Sequence, residues 1–183
     1  MDGLIGKADI RAVEIYRRPA KAQPVAFKPA LARSLNNLSN GLSDTGDRAG
    51  ALRAIEEAVK IYRRVAQAQP SAFEPDLASS LNNVSNRLSD SGDRAGALRA
   101  IEAAVEIYRR LAQAQPAAFE PDLARSLNNL SLRLSDSGDR AGALLAIQET
   151  VEIYRRLAQA QPAAFEPVLA SSLRLRELLL IPG

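Results

Sequence analysis

Apolar residues recur every three or four positions along most of the chain, which is the spacing of one face of an α-helix. In the middle of the chain, four apolar residues have this spacing: Leu77, Leu81, Val84 and Leu88. A second run with the same spacing extends from Ala97 to Leu111, and it carries Glu106 and Arg110 four residues apart on its polar side. The pattern predicts two consecutive amphipathic helices.

The segment SDSGDRAGAL separates these two helices. Gly92 is suited to the left-handed backbone conformation that ends a helix, and Asp93 is suited to accept hydrogen bonds from the first amides of the next helix. The segment is short, so it predicts an antiparallel helical hairpin.

Pairs of glutamine and proline predict where helices end, since the residue before a proline is disfavoured in the α conformation. These pairs are Gln69-Pro70, Gln115-Pro116 and Gln161-Pro162. We expect a connector after each pair, and a new helix whose first turn contains Pro29, Pro75 or Pro121. Near the amino terminus, Pro19 predicts that the first helix ends or kinks near Arg18.

The hairpin pattern repeats at a fixed period. Ala54, Ala100 and Ala146 open the similar words AIEEAV, AIEAAV and AIQETV, so the period is 46 residues (from 54 to 100 and from 100 to 146). Such a period is typical of a solenoid. We expect an all-α superhelix of hairpins in a single array, divided into a leading helix (1–24), three repeats (25–70, 71–116 and 117–162) and a trailing helix (163–183).

Composition restricts the chemistry. The chain has no Cys and no His, which excludes thiol nucleophiles, Ser-His-Asp triads and zinc sites built on these residues. We therefore expect no enzyme activity, no cofactor and no metal. No apolar run reaches membrane-spanning length, and the absence of disulfides fits a reducing compartment, so we expect a cytoplasmic protein that does not bind membranes.

The repeats resemble tetratricopeptide repeats. The resemblance is carried by apolar and small residues on both helices and by the turn between them: Leu81, Val84, Ser85, Leu88, Gly92, Asp93, Ala97, Ile101 and Ala104. The period exceeds the usual length of about 34 residues, because the second helix continues through EIYRRLAQAQ. The repeats are thus similar to the long units of kinesin light chains and of bacterial and fungal regulatory arrays. This resemblance implies a protein-binding scaffold, in which the first helices line a concave groove.

A polar strip accompanies the leucines of the first helices, and we call it the first-helix strip: Arg33, Asn36, Asn37, Asn40, Ser79, Asn82, Asn83, Asn86, Arg125, Asn128 and Asn129. Because an Asn amide both donates and accepts hydrogen bonds, a row of them suits the backbone of an extended peptide. The resemblance implies the same role. The asparagines form two columns, one of Asn36, Asn82 and Asn128 and one of Asn37, Asn83 and Asn129. In the alternative, one of these columns satisfies the backbone of neighbouring helices or packs between repeats.

Two further interpretations concern other partners. Arg pairs such as Arg63-Arg64 recur with the period, yet Glu residues lie nearby and no aromatic platform accompanies them, which disfavours nucleic-acid binding. The last helix carries the apolar segment Leu178 to Ile181, so head-to-tail association of two copies through their terminal helices is the second hypothesis.

Overall fold

The computed structural model describes the backbone of residues 2–181 and the side chains of residues 9–181. This part of the chain forms eight α-helices and no strand, which confirms the all-α prediction. The helices are α1 (Asp2–Ala22), α2 (Pro24–Asp44), α3 (Arg48–Ala68), α4 (Pro70–Asp90), α5 (Arg94–Ala114), α6 (Pro116–Asp136), α7 (Arg140–Ala160) and α8 (Pro162–Leu180). We call α2, α4, α6 and α8 the first-type helices and α1, α3, α5 and α7 the second-type helices.

The chain divides into two compact units, Met1–Asp93 and Arg94–Gly183. In unit 1, α1 packs on α2, α2 on α3 and α3 on α4. In unit 2, α5 packs on α6, α6 on α7 and α7 on α8. Each unit is therefore a stack of consecutive helices. The predicted division into a leading helix, three repeats and a trailing helix stays a prediction, and residues 1, 182 and 183 at its ends lie outside the described residues.

Glycines with positive φ close the turns within the hairpins. Gly46, Gly92 and Gly138 have φ values of 86°, 87° and 86°, which confirms the left-handed conformation predicted at Gly92. The carboxylates of Asp47 and Asp139 accept hydrogen bonds from the Gly50 and Gly142 amides at 2.8 and 2.9 Å. These aspartates therefore cap α3 and α7 as predicted for Asp93, their counterpart in the middle repeat.

The joints between hairpins are shorter than predicted. The helix end predicted at Gln69-Pro70 is confirmed, since α3 ends at Ala68. Pro70 itself, however, begins α4. The expected connector is absent at this joint, and Pro75 lies inside the helix rather than in its first turn. Proline is favourable as the first helical residue because its missing N–H would have no partner there, so a single extended Gln69 suffices as the joint.

Of the two outcomes predicted near Arg18, a helix end or a kink, the helix end is wrong. Helix α1 continues through Pro19 to Ala22, and the Gln23 amide donates to the Pro19 carbonyl oxygen at 2.7 Å. Ala20 is buried in the turn that follows the proline. We attribute the continuation to this packing, which offsets the hydrogen bond that a proline removes.

Leucine, isoleucine and alanine form the core of each unit. In unit 1, α2 packs on α3, and Leu35 of α2 and Ile55 and Ala58 of α3 are almost completely buried. In unit 2, Leu127 and Ile147 occupy the corresponding positions. The small alanines let neighbouring helices approach closely, which fixes the first-type helices that carry the polar strip.

Candidate functional site

The structure places the whole first-helix strip on first-type helices, but its members differ in exposure. Arg33, Asn37, Asn40 and Arg125 are exposed, whereas Asn82 is buried, with 5% of its surface exposed. The other members are partly exposed: Asn36, Ser79, Asn83, Asn86, Asn128 and Asn129. Asn82 therefore offers little surface to a ligand, and the exposed amides of α2 offer the most.

In unit 1, two members of the strip bind each other. The Asn83 Nδ2 atom of α4 donates a hydrogen bond to the Asn36 Oδ1 atom of α2 at 2.9 Å. This bond joins successive first-type helices. It uses part of the hydrogen-bonding capacity of both amides, and it joins one member of each Asn column, so it assigns neither column as a whole to peptide binding or to packing.

In unit 2, the Asn128 Oδ1 atom lies 3.3 Å from the Ser172 Oγ atom of α8. The same hydroxyl lies closer, at 2.9 Å, to the Val168 carbonyl oxygen of its own helix. A hydroxyl has one proton to donate, and the shorter contact favours the carbonyl. Asn82 and Asn129 also interact with other parts of the protein. Whether the Asn columns bind a peptide stays a prediction.

Three exposed members of the strip share one face of α2. Arg33, Asn37 and Asn40 are spaced four and three residues apart, which aligns them along a helix. Their alignment presents one guanidinium group and two amides to solvent. A guanidinium group donates hydrogen bonds and an amide both donates and accepts, so this face suits the polar backbone or carboxylates of another chain.

A tyrosine and an aspartate beside Arg33 were missed by the sequence analysis. Burial raises the pKa of Tyr62, the Asp76 carboxylate raises this pKa further, and the Arg33 guanidinium lowers it. Burial also raises the pKa of Asp76, again opposed by Arg33. The three side chains, from α3, α4 and α2, form what we call the Arg-Asp-Tyr cluster of unit 1.

Unit 2 has a similar cluster, in which the aspartate lies on the same helix as the arginine. The Arg125 Nη2 atom lies 2.5 Å from the Asp122 Oδ1 atom, one turn earlier on α6. Burial raises the pKa of Tyr154 on α7, Arg125 lowers it, and Asp122 raises it. Arg33 and Arg125 occupy the same repeat position, as do Tyr62 and Tyr154, so the recurrence of these two residues is visible in the sequence, whereas the position of the aspartate is not.

Within residues 9–181, no three acidic side chains are grouped in a way that could hold a metal ion. None of the helices in the described part of the chain has the length and apolarity needed to cross a membrane.

The Arg pairs include side chains neutralised by carboxylates, such as Arg17 with Glu57 at 2.9 Å and Arg109 with Glu149 at 2.6 Å. These ion pairs weaken the positive field that phosphate binding requires.

Helical hairpins that repeat at a fixed period, with polar side chains on their first helices, define the solenoid class of repeat protein. Residues 31–69, 77–115 and 123–163 each match the family model described as tetratricopeptide repeat. The chain belongs to the tetratricopeptide repeat family. The matched segments begin 46 residues apart (31, 77 and 123), in agreement with the period found in the sequence. Repeats of this family suggest a scaffold for protein–protein interaction, and such scaffolds are generally not enzymes.

Solved structures support the fold. BtubC (BKLC) from P. vanneervenii is 21% identical to this chain and superposes with a TM-score of 0.71, over 97% of this chain and 65% of BtubC. The chain thus spans less than two thirds of the length of that protein. The protein MamA is 15% identical, with a TM-score of 0.50, over 96% of this chain and 86% of MamA. No curated protein matches the chain significantly.

Proposed function

We propose that the protein is an interaction scaffold that binds an extended peptide of a partner protein along the first-helix strip. The observation that carries this proposal is the exposed row of Arg33, Asn37 and Asn40 on α2. The family to which the chain belongs supports a partner that is a protein. An extended peptide fits because its backbone offers both donors and acceptors to the amides, whatever its side chains.

The members of the strip have two different roles in this proposal. The Asn83–Asn36 hydrogen bond keeps α2 and α4 in register. Asn37 and Asn40 contact the peptide backbone, and Arg33 favours an acidic or neutral ligand. In unit 1, Asn86 of α4 extends this surface beyond α2, and in unit 2, Arg125 and Asn128 of α6 offer polar groups of the same kind.

A peptide library displayed on phage tests the proposal. Peptides are selected on the wild-type protein, and the affinity of a selected peptide is then measured by fluorescence anisotropy for wild type and for the Asn37→Ala/Asn40→Ala variant. We expect roughly tenfold or greater weakening from the loss of two amide contacts, at about 1 kcal/mol or more each. The melting temperature should not change, because both side chains are exposed.

The matched control is Asn83→Ala, which removes the bond between α2 and α4 without removing an exposed amide. This variant should lose stability. If the selected peptides bind the Asn37→Ala/Asn40→Ala variant as tightly as wild type, the strip is not the binding surface.

Head-to-tail self-assembly is the second candidate function. It is favoured by exposed apolar side chains at both end helices: Leu178, Leu180 and Ile181 at or beside the end of α8, which are 66%, 57% and 61% exposed, and Ile10 and Ile15 on α1, which are 45% and 58% exposed. Sedimentation equilibrium over a wide range of protein concentration tests it. Association that is abolished by Leu178→Glu supports assembly, and a monomer at every concentration rejects it.

A further inference from the structure

Unit 1 contains a groove that the first-helix strip does not include. It lies where α2 begins, α3 ends and α4 begins, and it has a volume of about 180 Å³. Its apolar walls include Val25, Val65 and Phe73, while Lys28 and Arg64 supply two positive charges. Val25 is 81% exposed, so its side chain is accessible to another molecule.

The corresponding place in unit 2 has a different charge. Two repeats along the chain, Glu120 takes the position of Lys28 and Arg156 that of Arg64. There the Arg156 Nη2 atom donates a hydrogen bond to the Glu120 Oε1 atom at 2.9 Å, and the two charges form an ion pair. In unit 1 this pair is replaced by two cations, and neither Lys28 nor Arg64 forms an ion pair with any residue in the described part of the chain.

Two cations beside an apolar groove are complementary to a carboxylate beside an apolar side chain. The volume of the groove is close to the roughly 150 Å³ of an apolar cavity that binds benzene, so it can hold one large apolar side chain. The groove is walled on one side by the exposed Val25, so a segment of another protein can reach it.

We propose that this groove binds an acidic segment of a partner protein, with an apolar side chain between Val25, Val65 and Phe73 and a flanking Glu or Asp carboxylate on Lys28 and Arg64. The site is separate from the first-helix strip. It involves neither Asn37 nor Asn40, and its test does not depend on the peptide that the strip binds.

The probe is a blocked hexapeptide in which Leu and Phe are flanked on each side by two glutamates. Its binding to the full chain is followed by ¹⁵N–¹H NMR at low salt. We expect chemical-shift changes at Val25, Val65 and Phe73 that saturate with peptide concentration. Binding should weaken as salt is added, because the carboxylate contacts are screened. A peptide with lysines in place of the glutamates should not bind.

Lys28→Glu is the decisive variant. The carboxylate that this variant introduces can pair with Arg64 as Glu120 pairs with Arg156, so the variant should keep the fold and the melting temperature. It should weaken binding roughly tenfold or more, because it removes one cation and neutralises the other. In the reverse direction, Glu120→Lys should create a weaker second site in unit 2, seen as new shifts near Phe165.

Equal binding of the probe to wild type and Lys28→Glu would overturn the proposal, and so would shifts confined to the first-helix strip. The Asn37→Ala/Asn40→Ala variant distinguishes the two sites. It should bind the hexapeptide at this groove as wild type does, even if the strip proves to bind no peptide.

Discussion

The first and third repeats show how little of a repeat needs to change for its surface to change. Both repeats have the same buried Leu and Ile, the same left-handed glycine and the same capping aspartate. They differ in charge at one end of the hairpin. In unit 1, Lys28 and Arg64 line the same groove, whereas in unit 2 the equivalent residues, Glu120 and Arg156, form an ion pair. Buried positions determine the hairpin, and exposed positions on the same frame are free to determine partners.

The largest expected effect tests whether the two cores are equivalent. Leu35→Ala in unit 1 and Leu127→Ala in unit 2 each truncate a side chain that is 1% exposed. Each should lower the free energy of unfolding by about 2 to 5 kcal/mol, because the close-packed helices cannot fill the cavity. Urea unfolding monitored by circular dichroism gives both values. A loss below about 1 kcal/mol in only one variant would show that the repeats are packed with different tightness.

The turn glycines should respond equally in the two units. Gly46 and Gly138 share φ values of 86°, and a Cβ atom added at either would meet no other atom within 4 Å. Gly46→Ala and Gly138→Ala should therefore each cost about 1 to 2 kcal/mol from backbone conformation alone. Asn tolerates positive φ better than Ala, so Gly46→Asn and Gly138→Asn should cost less. Thermal unfolding of the four variants measures this, and equal losses for Ala and Asn would contradict a conformational origin.

Sequence reasoning predicted the hairpin from local signals. The 3.6-residue periodicity, the turn glycine and the capping aspartate each act within a few residues. The helices and the Gly92 conformation were found as predicted, and aspartates cap α3 and α7 at the positions equivalent to Asp93. The hairpin joint was placed wrongly because two prolines, Pro70 and Pro75, stand five residues apart. Either could begin a helix, and only the packed structure shows that Pro70 does so while Pro75 lies inside α4.

The side-chain partners of the candidate site could not be predicted, because they depend on the register between helices distant in the chain. The Asn83–Asn36 bond joins residues 47 apart, and the Arg48 guanidinium of α3 donates to the Asp90 carbonyl oxygen at the end of α4. In unit 2, Arg140 donates in the same way to the Leu179 carbonyl oxygen at 2.7 Å. A periodic sequence indicates that such residues recur, but it does not specify which recurring residues meet.

The Arg-Asp-Tyr clusters predict a loss of stability at alkaline pH. The pKa values of Tyr62 and Tyr154 are raised in the folded protein, mainly by burial. Above the ordinary tyrosine pKa of about 10, the unfolded chain releases protons that the folded protein retains, so stability falls as pH rises through this range. Well below pH 10 these tyrosines are protonated in both states and contribute no pH dependence.

Two measurements check the alkaline prediction. Absorbance at 295 nm should show Tyr62 and Tyr154 ionising above the ordinary range, as assigned with Tyr62→Phe and Tyr154→Phe. Each variant should also lose less stability between pH 9 and about pH 11 than wild type does. Normal ionisation of both tyrosines in the folded protein would show that neither ring is shielded from water.

The smallest expected effect concerns the ion pairs between second-type helices. In unit 1, Arg17 of α1 pairs with Glu57 of α3 at 2.9 Å, and in unit 2, Arg109 of α5 pairs with Glu149 of α7 at 2.6 Å. All four side chains are substantially exposed, so Arg17→Ala should cost at most about 1 kcal/mol.

Arg109→Ala should cost slightly more than Arg17→Ala, because Arg109 and Glu149 share a polar cavity of about 440 Å³ with the Glu120–Arg156 pair. Charges that form a network are more strongly coupled than an isolated pair. Urea unfolding in low salt and in 1 M salt resolves the comparison, since screening should remove the difference between the two variants. A difference that persists in high salt would mean that Arg109 stabilises unit 2 through the packing of its aliphatic stem rather than through its charge.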